Sequence, residues 1–225
     1  MDTVLTLDAL TKRYTADEIP PVADLSLTLH QGDFVAVEGP SGMGKSTLLY
    51  LMGGLIRPTS GTITFRETQL TALNDRALTK WRQEELAFIF QETILFAALT
   101  AQENLMEAMK LHRGIPRSQR AGLAAQYLER MGLADRADHL PHQLSVGQRR
   151  RLIIARALMG SHSLILADEP TNDLDDLWAE TVIDLLAERA REGCCVVMVT
   201  HNDKWARRAS SRYLLEHGQL HPSQT

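Results

Sequence analysis

The stretch Gly39-Pro40-Ser41-Gly42-Met43-Gly44-Lys45-Ser46-Thr47 decides how this chain is read. Gly39 and Gly44 frame four residues and are followed by a lysine and a hydroxyl residue, the pattern of a phosphate-binding loop. Glycines allow the tight bends that converge backbone N–H groups on phosphate oxygens, and a helix starting near Lys45 adds the positive end of its dipole. In that geometry Lys45 lies against the β and γ phosphates of a nucleotide and the Ser46 hydroxyl is a ligand of Mg²⁺, while Thr47 and the backbone amides hold the α and β phosphates. The nucleotide-binding set on this loop is therefore Gly39, Ser41, Gly42, Gly44, Lys45, Ser46 and Thr47. The flanks agree: Asp33-Phe34-Val35-Ala36-Val37 is a β-type run, and Leu48-Leu49-Tyr50-Leu51-Met52 continues apolar, giving strand, loop and helix in order. Glu38, next to the loop, faces either solvent or a polar neighbour.

Outward along the chain, Ser163-Leu164-Ile165-Leu166-Ala167-Asp168-Glu169-Pro170 is an apolar strand-like run ending in two carboxylates. Neighbours on a strand point to opposite sides. Asp168 is thus expected to hold the hydration shell of Mg²⁺, and Glu169 to reach the water attacking the γ phosphate as general base.

Between these elements lies Leu144-Ser145-Val146-Gly147-Gln148, followed by Arg149-Arg150-Arg151-Leu152, with Ser145 placed 23 residues before Asp168. Ser145 and Gln148 have capping-box spacing, so a helix should start here and present free N–H groups. The segment resembles the signature of ATP-binding cassette (ABC) ATPases, and the resemblance extends from Tyr14 to Leu220. It implies ATP and Mg²⁺ as ligands, with Ser145, Gly147 and Gln148 meeting the γ phosphate of ATP held by a second subunit. By the same resemblance Tyr14 stacks on adenine, Gln91 in Ile89-Phe90-Gln91 senses Mg²⁺ and the attacking water, and Thr171-Asn172-Asp173-Leu174-Asp175 crosses the dimer interface. His201, in Val199-Thr200-His201-Asn202, looks like the switch histidine; it follows a β-branched run and so should emerge at a strand end near the γ phosphate. The catalytic set is Glu169, His201, Gln91 and Lys45, and the metal set is Ser46, Gln91 and Asp168.

Two residues depart from the family pattern. Val146 stands where a glycine is usual, and Asp173 where an uncharged residue is common. A β-branched residue at a positive φ would be strained, so the backbone at Val146 is expected to be helical or extended, with the γ-phosphate contacts coming from Ser145 and Gly147. Asp173 adds negative charge near two nucleotides and slows closure unless a basic residue partners it.

Composition sets limits on partners. The 225 residues are 44% hydrophobic and 23% charged with a net charge of −4, which is an ordinary globular profile without a basic field for nucleic acid. The Arg149–Arg151 run is expected to be a solvated or interdomain face. Charged residues interrupt every long apolar segment before the roughly 20 residues needed to span a bilayer, and the start lacks signal-peptide character. Cys194 and Cys195 are strand neighbours whose side chains point oppositely, hence buried thiols rather than a disulfide.

The expected architecture is α/β: a P-loop NTPase core, with a mostly parallel sheet and flanking helices, an antiparallel β subdomain and an inserted helical subdomain. One ABC ATPase domain covers residues 1–225, with 1–91 and 144–225 as the core and 92–143, where Ala101–Arg113 and Ser118–Met131 show helical spacing, as the helical subdomain. The resemblance implies an ATP-hydrolysing homodimer that drives a separately encoded transmembrane permease subunit. Membrane contact is made only through that partner, on the cytoplasmic face of the bacterial inner membrane, and no nucleic acid is bound. The subgroup most resembled is that of lipoprotein-release, macrolide-efflux and cell-division ATPases. The alternatives are a soluble ABC-type ATPase acting on DNA or the ribosome, or a regulatory subunit that binds ATP without hydrolysing it.

Overall fold

A computed structural model describes residues 2–15, 19–110 and 115–223. Alternating apolar and polar residues make β1 (Thr3–Lys12) and β2 (Val22–His30), which pair antiparallel and bury Leu5, Leu7, Leu10, Leu25 and Leu29 on one face. The continuous apolar run of β3 (Phe34–Glu38) leads through the glycine loop into α1 (Lys45–Met52). After β4 (Ser60–Phe65) and β5 (Thr68–Gln69), α2 (Asp75–Glu85) starts at Asn74, whose side chain accepts from the Ala77 N–H, and runs into β6 (Leu86–Ile89). Two helices follow, α3 (Ala101–Met109), closed by a capping box between Thr100 and Glu103, and α4 (Arg117–Arg130). The remainder alternates as α5 (Val146–Leu158), β7 (Leu164–Asp168), α6 (Asp176–Arg191), β8 (Cys195–Val199), α7 (Asp203–Ala206), β9 (Ser211–Glu216) and β10 (Gln219–Pro222).

The strands form two sheets. One is antiparallel, in the order β2-β1-β4-β5; the other runs β10-β9-β3-β8-β7-β6 and is parallel except at β10. Strands β3, β7 and β8 are buried along nearly their whole length, as a parallel sheet covered on both faces requires. Two apolar cores result. The first packs α3, α4, α5 and α6 against one face of the parallel sheet; the second encloses α1 between the other face and the antiparallel sheet. Cys194 belongs to the first core and Cys195 to the second, and both thiols are free. Burial pushes the Cys194 thiol up to about 12 and raises that of Cys195 as well.

Helix α3 ends at Met109, so the helical spacing expected as far as Arg113 stops short, and residues 111–113 lie outside the described residues. The larger correction concerns Arg149–Arg151. Arg150 is wholly buried and Arg151 nearly so, and neither forms a solvated face. Helical periodicity explains it: Arg150 shares the inward stripe of α5 with Ile153, Ile154 and Leu158, all of them buried.

Candidate nucleotide site

At the carboxyl ends of β3, β7 and β8 lies a cleft of about 570 Å³, lined by Tyr14, Ile19, Pro21, Ser41, Gly42, Gly44, Lys45, Ser46, Thr47, Gln91, Asp168, Glu169, Asn172 and His201. The loop that floors it needs its glycines for two separate reasons. Gly44 has φ +91°, and a Cβ there would stand 2.4 Å from the Pro21 carbonyl oxygen. Gly39 is not among the lining residues; a Cβ there would stand 2.7 Å from the Leu215 carbonyl oxygen, so its role is to let the loop pass close to β9. Helix α1 begins at Lys45 with no side-chain cap, which leaves its first N–H groups directed at the cleft. Lys45 Nζ donates to the carbonyls of Gly39 at 2.7 Å and Pro40 at 2.9 Å, which holds the ammonium inside the loop. Tyr14 is 59% exposed at the rim, its hydroxyl 3.3 Å from Thr47 Oγ1, with Lys12 Nζ 5.3 Å from its ring centre. An exposed aromatic face at that place is available for stacking.

The two carboxylates enter the same cleft, and here the strand alternation expected from sequence fails. Asp168 is the last residue of β7, but Glu169 has left the strand with φ +47°, so both side chains face the cavity. Burial raises the Asp168 carboxyl above its ordinary value; the hydrogen bond from Ser46 opposes this, the Glu169 charge adds to it, and Lys45 and Arg150 oppose it. Asp168 Oδ2 is buried without a hydrogen-bond partner. An orphaned carboxylate oxygen beside a serine hydroxyl, with Gln91 lining the same cleft, is the hard oxygen donor set that suits Mg²⁺. Glu169 Oε1 lies 2.8 Å from His201 Nδ1, while its Oε2 is buried without a partner. His201 stands just beyond β8, where the strand end aims it at the cleft.

Ser145, Gly147 and Gln148 are not brought to this cleft. They form the start of α5, where the Ser145 side chain accepts from the Gln148 N–H and Gln148 accepts from the Ser145 N–H. Val146 is the first residue of that helix, 50% exposed, and its backbone is helical rather than left-handed. Gly147 packs on the Asp173 carbonyl oxygen, 3.0 Å from where a Cβ would stand, and Asp173 itself is left-handed at φ +64°.

Several residues escaped the sequence reading. Ile19 and Pro21 complete the cleft wall and carry no local signal. Glu38 takes the polar neighbour of its two expected options: Arg212 Nε and Nη2 each donate to its carboxylate at 2.9 Å, and Arg212 also reaches Asp203. This network ties the entry of the phosphate loop to the segment after His201. Arg150 donates Nη1 to Phe90 O and to Gln91 O at 3.1 Å, Nη2 to Asp168 O at 3.1 Å and Glu169 O at 2.6 Å, and Nε to Pro170 O at 3.3 Å. Its place on the apolar stripe of α5 was the available signal.

Comparison with known proteins agrees with this geometry. A family model described as ABC transporter matches residues 22–172. An uncharacterized ABC transporter ATP-binding protein, YvrO of Bacillus subtilis, is 39% identical over 219 residues, which are 96% of this chain and 95% of that protein. The macrolide export ATP-binding/permease protein MacB of Salmonella paratyphi A is 39% identical over 98% of this chain, which spans only 34% of MacB. Among solved structures, a dimeric post-hydrolysis state of the ATP-binding cassette MJ0796, bound to ADP and Pi, superposes with a TM-score of 0.90 at 35% identity over 98% of both chains. With a phosphate loop, paired carboxylates and a histidine gathered at one sheet end in a cassette fold, the chain belongs to the ABC transporter family as an ATP-binding, ATP-hydrolysing subunit.

Proposed function

We propose that this cleft is one half of a two-subunit ATP clamp, and that the clamp drives a separately encoded transmembrane permease. The observation that carries the reading is spatial. The loop, Asp168, Glu169 and His201 share one cleft, whereas the capped start of α5 presents Ser145 and Gly147 away from it, so a second copy of the chain would supply that helix end to the γ phosphate. Among the described residues no helix is long and apolar enough to cross a membrane, and MacB is an ATP-binding/permease protein about three times as long as the stretch this chain matches. MacB supports a permease as the partner of the cassette at a bacterial inner membrane, and YvrO, an ATP-binding protein that this chain spans to 95%, supports a permease carried on another chain.

In this reading residues 1–91 and 144–225 form the nucleotide core and 92–143 the helical subdomain. Tyr14 stacks on adenine, and the loop amides with Lys45 and Thr47 hold the phosphates. Ser46 and Asp168, with Gln91, would hold Mg²⁺, which when bound offsets charge on the phosphates. Glu169 takes the proton of the attacking water, and His201, already bonded to Glu169, orients that water and contacts the γ phosphate. ATP joins the two copies, and its hydrolysis lets them part. The test is Mg-ATP turnover and dimer formation by the chain co-expressed with the membrane protein encoded beside it, wild type against Glu169→Gln. Loss of turnover with an accumulating ATP-bound dimer is expected; wild-type ATP binding without turnover in the presence of the membrane partner would overturn the clamp.

A further inference from the structure

We propose that Arg150 is a positioning residue for hydrolysis: its guanidinium, buried between α5 and the ends of β6 and β7, fixes the backbone at Gln91 and Glu169 and ties both to the helix that begins at Ser145. The inference rests on the reading of Glu169 as the base.

The side chain is wholly buried, and among the described residues its hydrogen bonds go to backbone carbonyls rather than to a carboxylate. A guanidinium in that setting is an expensive way to fill space: the charges of Asp173, Asp168 and Glu169 offset its burial, but it donates to none of their carboxylates, and an apolar side chain of the same size would carry no such cost. What it offers is geometry. Five N–H donors lie in one rigid plane, and here that plane spans carbonyls on two adjacent parallel strands, Phe90 and Gln91 beyond β6 and Asp168, Glu169 and Pro170 at the end of β7.

The residues it grips are the ones whose placement matters. Glu169 sits in the left-handed region, a conformation that a glutamate holds only when its surroundings impose it. Its N–H donates to Val199 O at 3.0 Å and its carbonyl accepts from Arg150 Nη2 at 2.6 Å and from the Asn172 N–H at 3.1 Å, so the backbone is clamped on both sides of the carboxylate. The same guanidinium holds the Gln91 carbonyl. Arg150 follows Ser145 by little more than one helical turn, so a shift of the start of α5 moves the fork and, through it, both Gln91 and Glu169. One side chain thereby links the helix end that would meet the partner's nucleotide to the base and glutamine of its own cleft.

The experiment compares the full-length chain carrying Arg150→Gln, Arg150→Lys or Glu169→Gln with wild type, measuring kcat and KM for Mg-ATP, affinity for ATP by calorimetry, and Tm. A folded Arg150 variant is expected to lose about tenfold or more in kcat while KM and ATP affinity stay within about threefold, since a misplacement of the order of an ångström acts on chemistry more than on binding. Arg150→Lys, which keeps the charge but not the planar fork, should show the same split and a smaller loss. Three results overturn the inference: a folded Arg150→Gln whose kcat falls by less than about tenfold, kcat and ATP affinity falling together, or failure of both variants to fold, each of which makes Arg150 a structural group only. Glu169→Gln separates the two layers. If that variant keeps its turnover, the reading of the site fails; if it loses turnover while Arg150→Gln does not, only the inference fails.

Discussion

His201 Nδ1 and Glu169 Oε1 meet at 2.8 Å, with the imidazole 65% exposed and the carboxylate 10%. Both line the cleft, and in the proposed clamp, where Glu169 is the base, the exposed imidazole screens the sheltered carboxylate from bulk water. Replacing Glu169 by Gln preserves the shape and removes the proton acceptor; turnover should fall by about 10²–10⁴-fold, while ATP binding persists. His201→Ala uncovers Glu169 without removing it, and a smaller loss of about 10–100-fold is expected. Steady-state phosphate release alongside calorimetric ATP binding checks both, and equal losses in the two variants would contradict the division of labour.

Gly44 and Gly42 test what the loop requires. Both have positive φ, yet a Cβ at Gly44 would meet Pro21 at 2.4 Å, whereas nothing lies within 4 Å of one at Gly42. Gly44→Ala should therefore lower Tm by about 4–8 °C and abolish ATP binding, and Gly42→Ala by about half as much, the cost of the left-handed backbone alone. Thermal unfolding of the two variants side by side decides it.

Arg212 bridges Glu38 and Asp203. The bonds from Arg207 and then Arg212 hold the Asp203 carboxyl below its ordinary value of about 3.8. Its contribution is therefore complete above that value and fades as pH falls through the lower folded one. Arg212→Ala should lower Tm by about 2–4 °C at pH 7.5, with the gap from wild type narrowing as the pH drops below about 4. A gap that stays constant from pH 7.5 to 3 would show that the arginine acts through packing alone.

Asp173 sits exposed in the left-handed region with its carbonyl under Gly147. Asparagine tolerates that backbone as well as aspartate does, so Asp173→Asn removes charge without strain. The ATP concentration needed for half-maximal dimer formation, measured by light scattering with Glu169→Gln as background, should fall about two- to fivefold, and by less at high salt. An unchanged midpoint at low salt would mean the charge does not oppose closure.

Much of this was legible in the sequence because it is local. Strand, glycine loop and helix around Lys45 are dictated by residue type over a dozen positions, and the Ser145–Gln148 capping box is written in its spacing. The strain a β-branched residue would meet at positive φ excludes the left-handed region at Val146 but leaves helical and extended open, and the structure is helical there. What escaped was set by distant contacts. Glu169 leaves its strand in a left-handed turn held by Val199, Asn172 and Arg150, none of which its neighbours in sequence announce. Residue type alone makes Arg149–Arg151 read as a solvated or interdomain face, although the helical period places Arg150 inward with Ile153 and Ile154. The Arg212–Glu38 pair joins residues 174 positions apart, beyond the range of any local pattern.

The adjacent cysteines turn this architecture into a pair of built-in reporters. Cys194 and Cys195 sit in different apolar layers, so each thiol can be alkylated only when its own side of the sheet breathes. Single-cysteine versions of the chain, labelled with and without ATP, would time the loosening of the helical layer and of the α1 layer separately, from probes one residue apart.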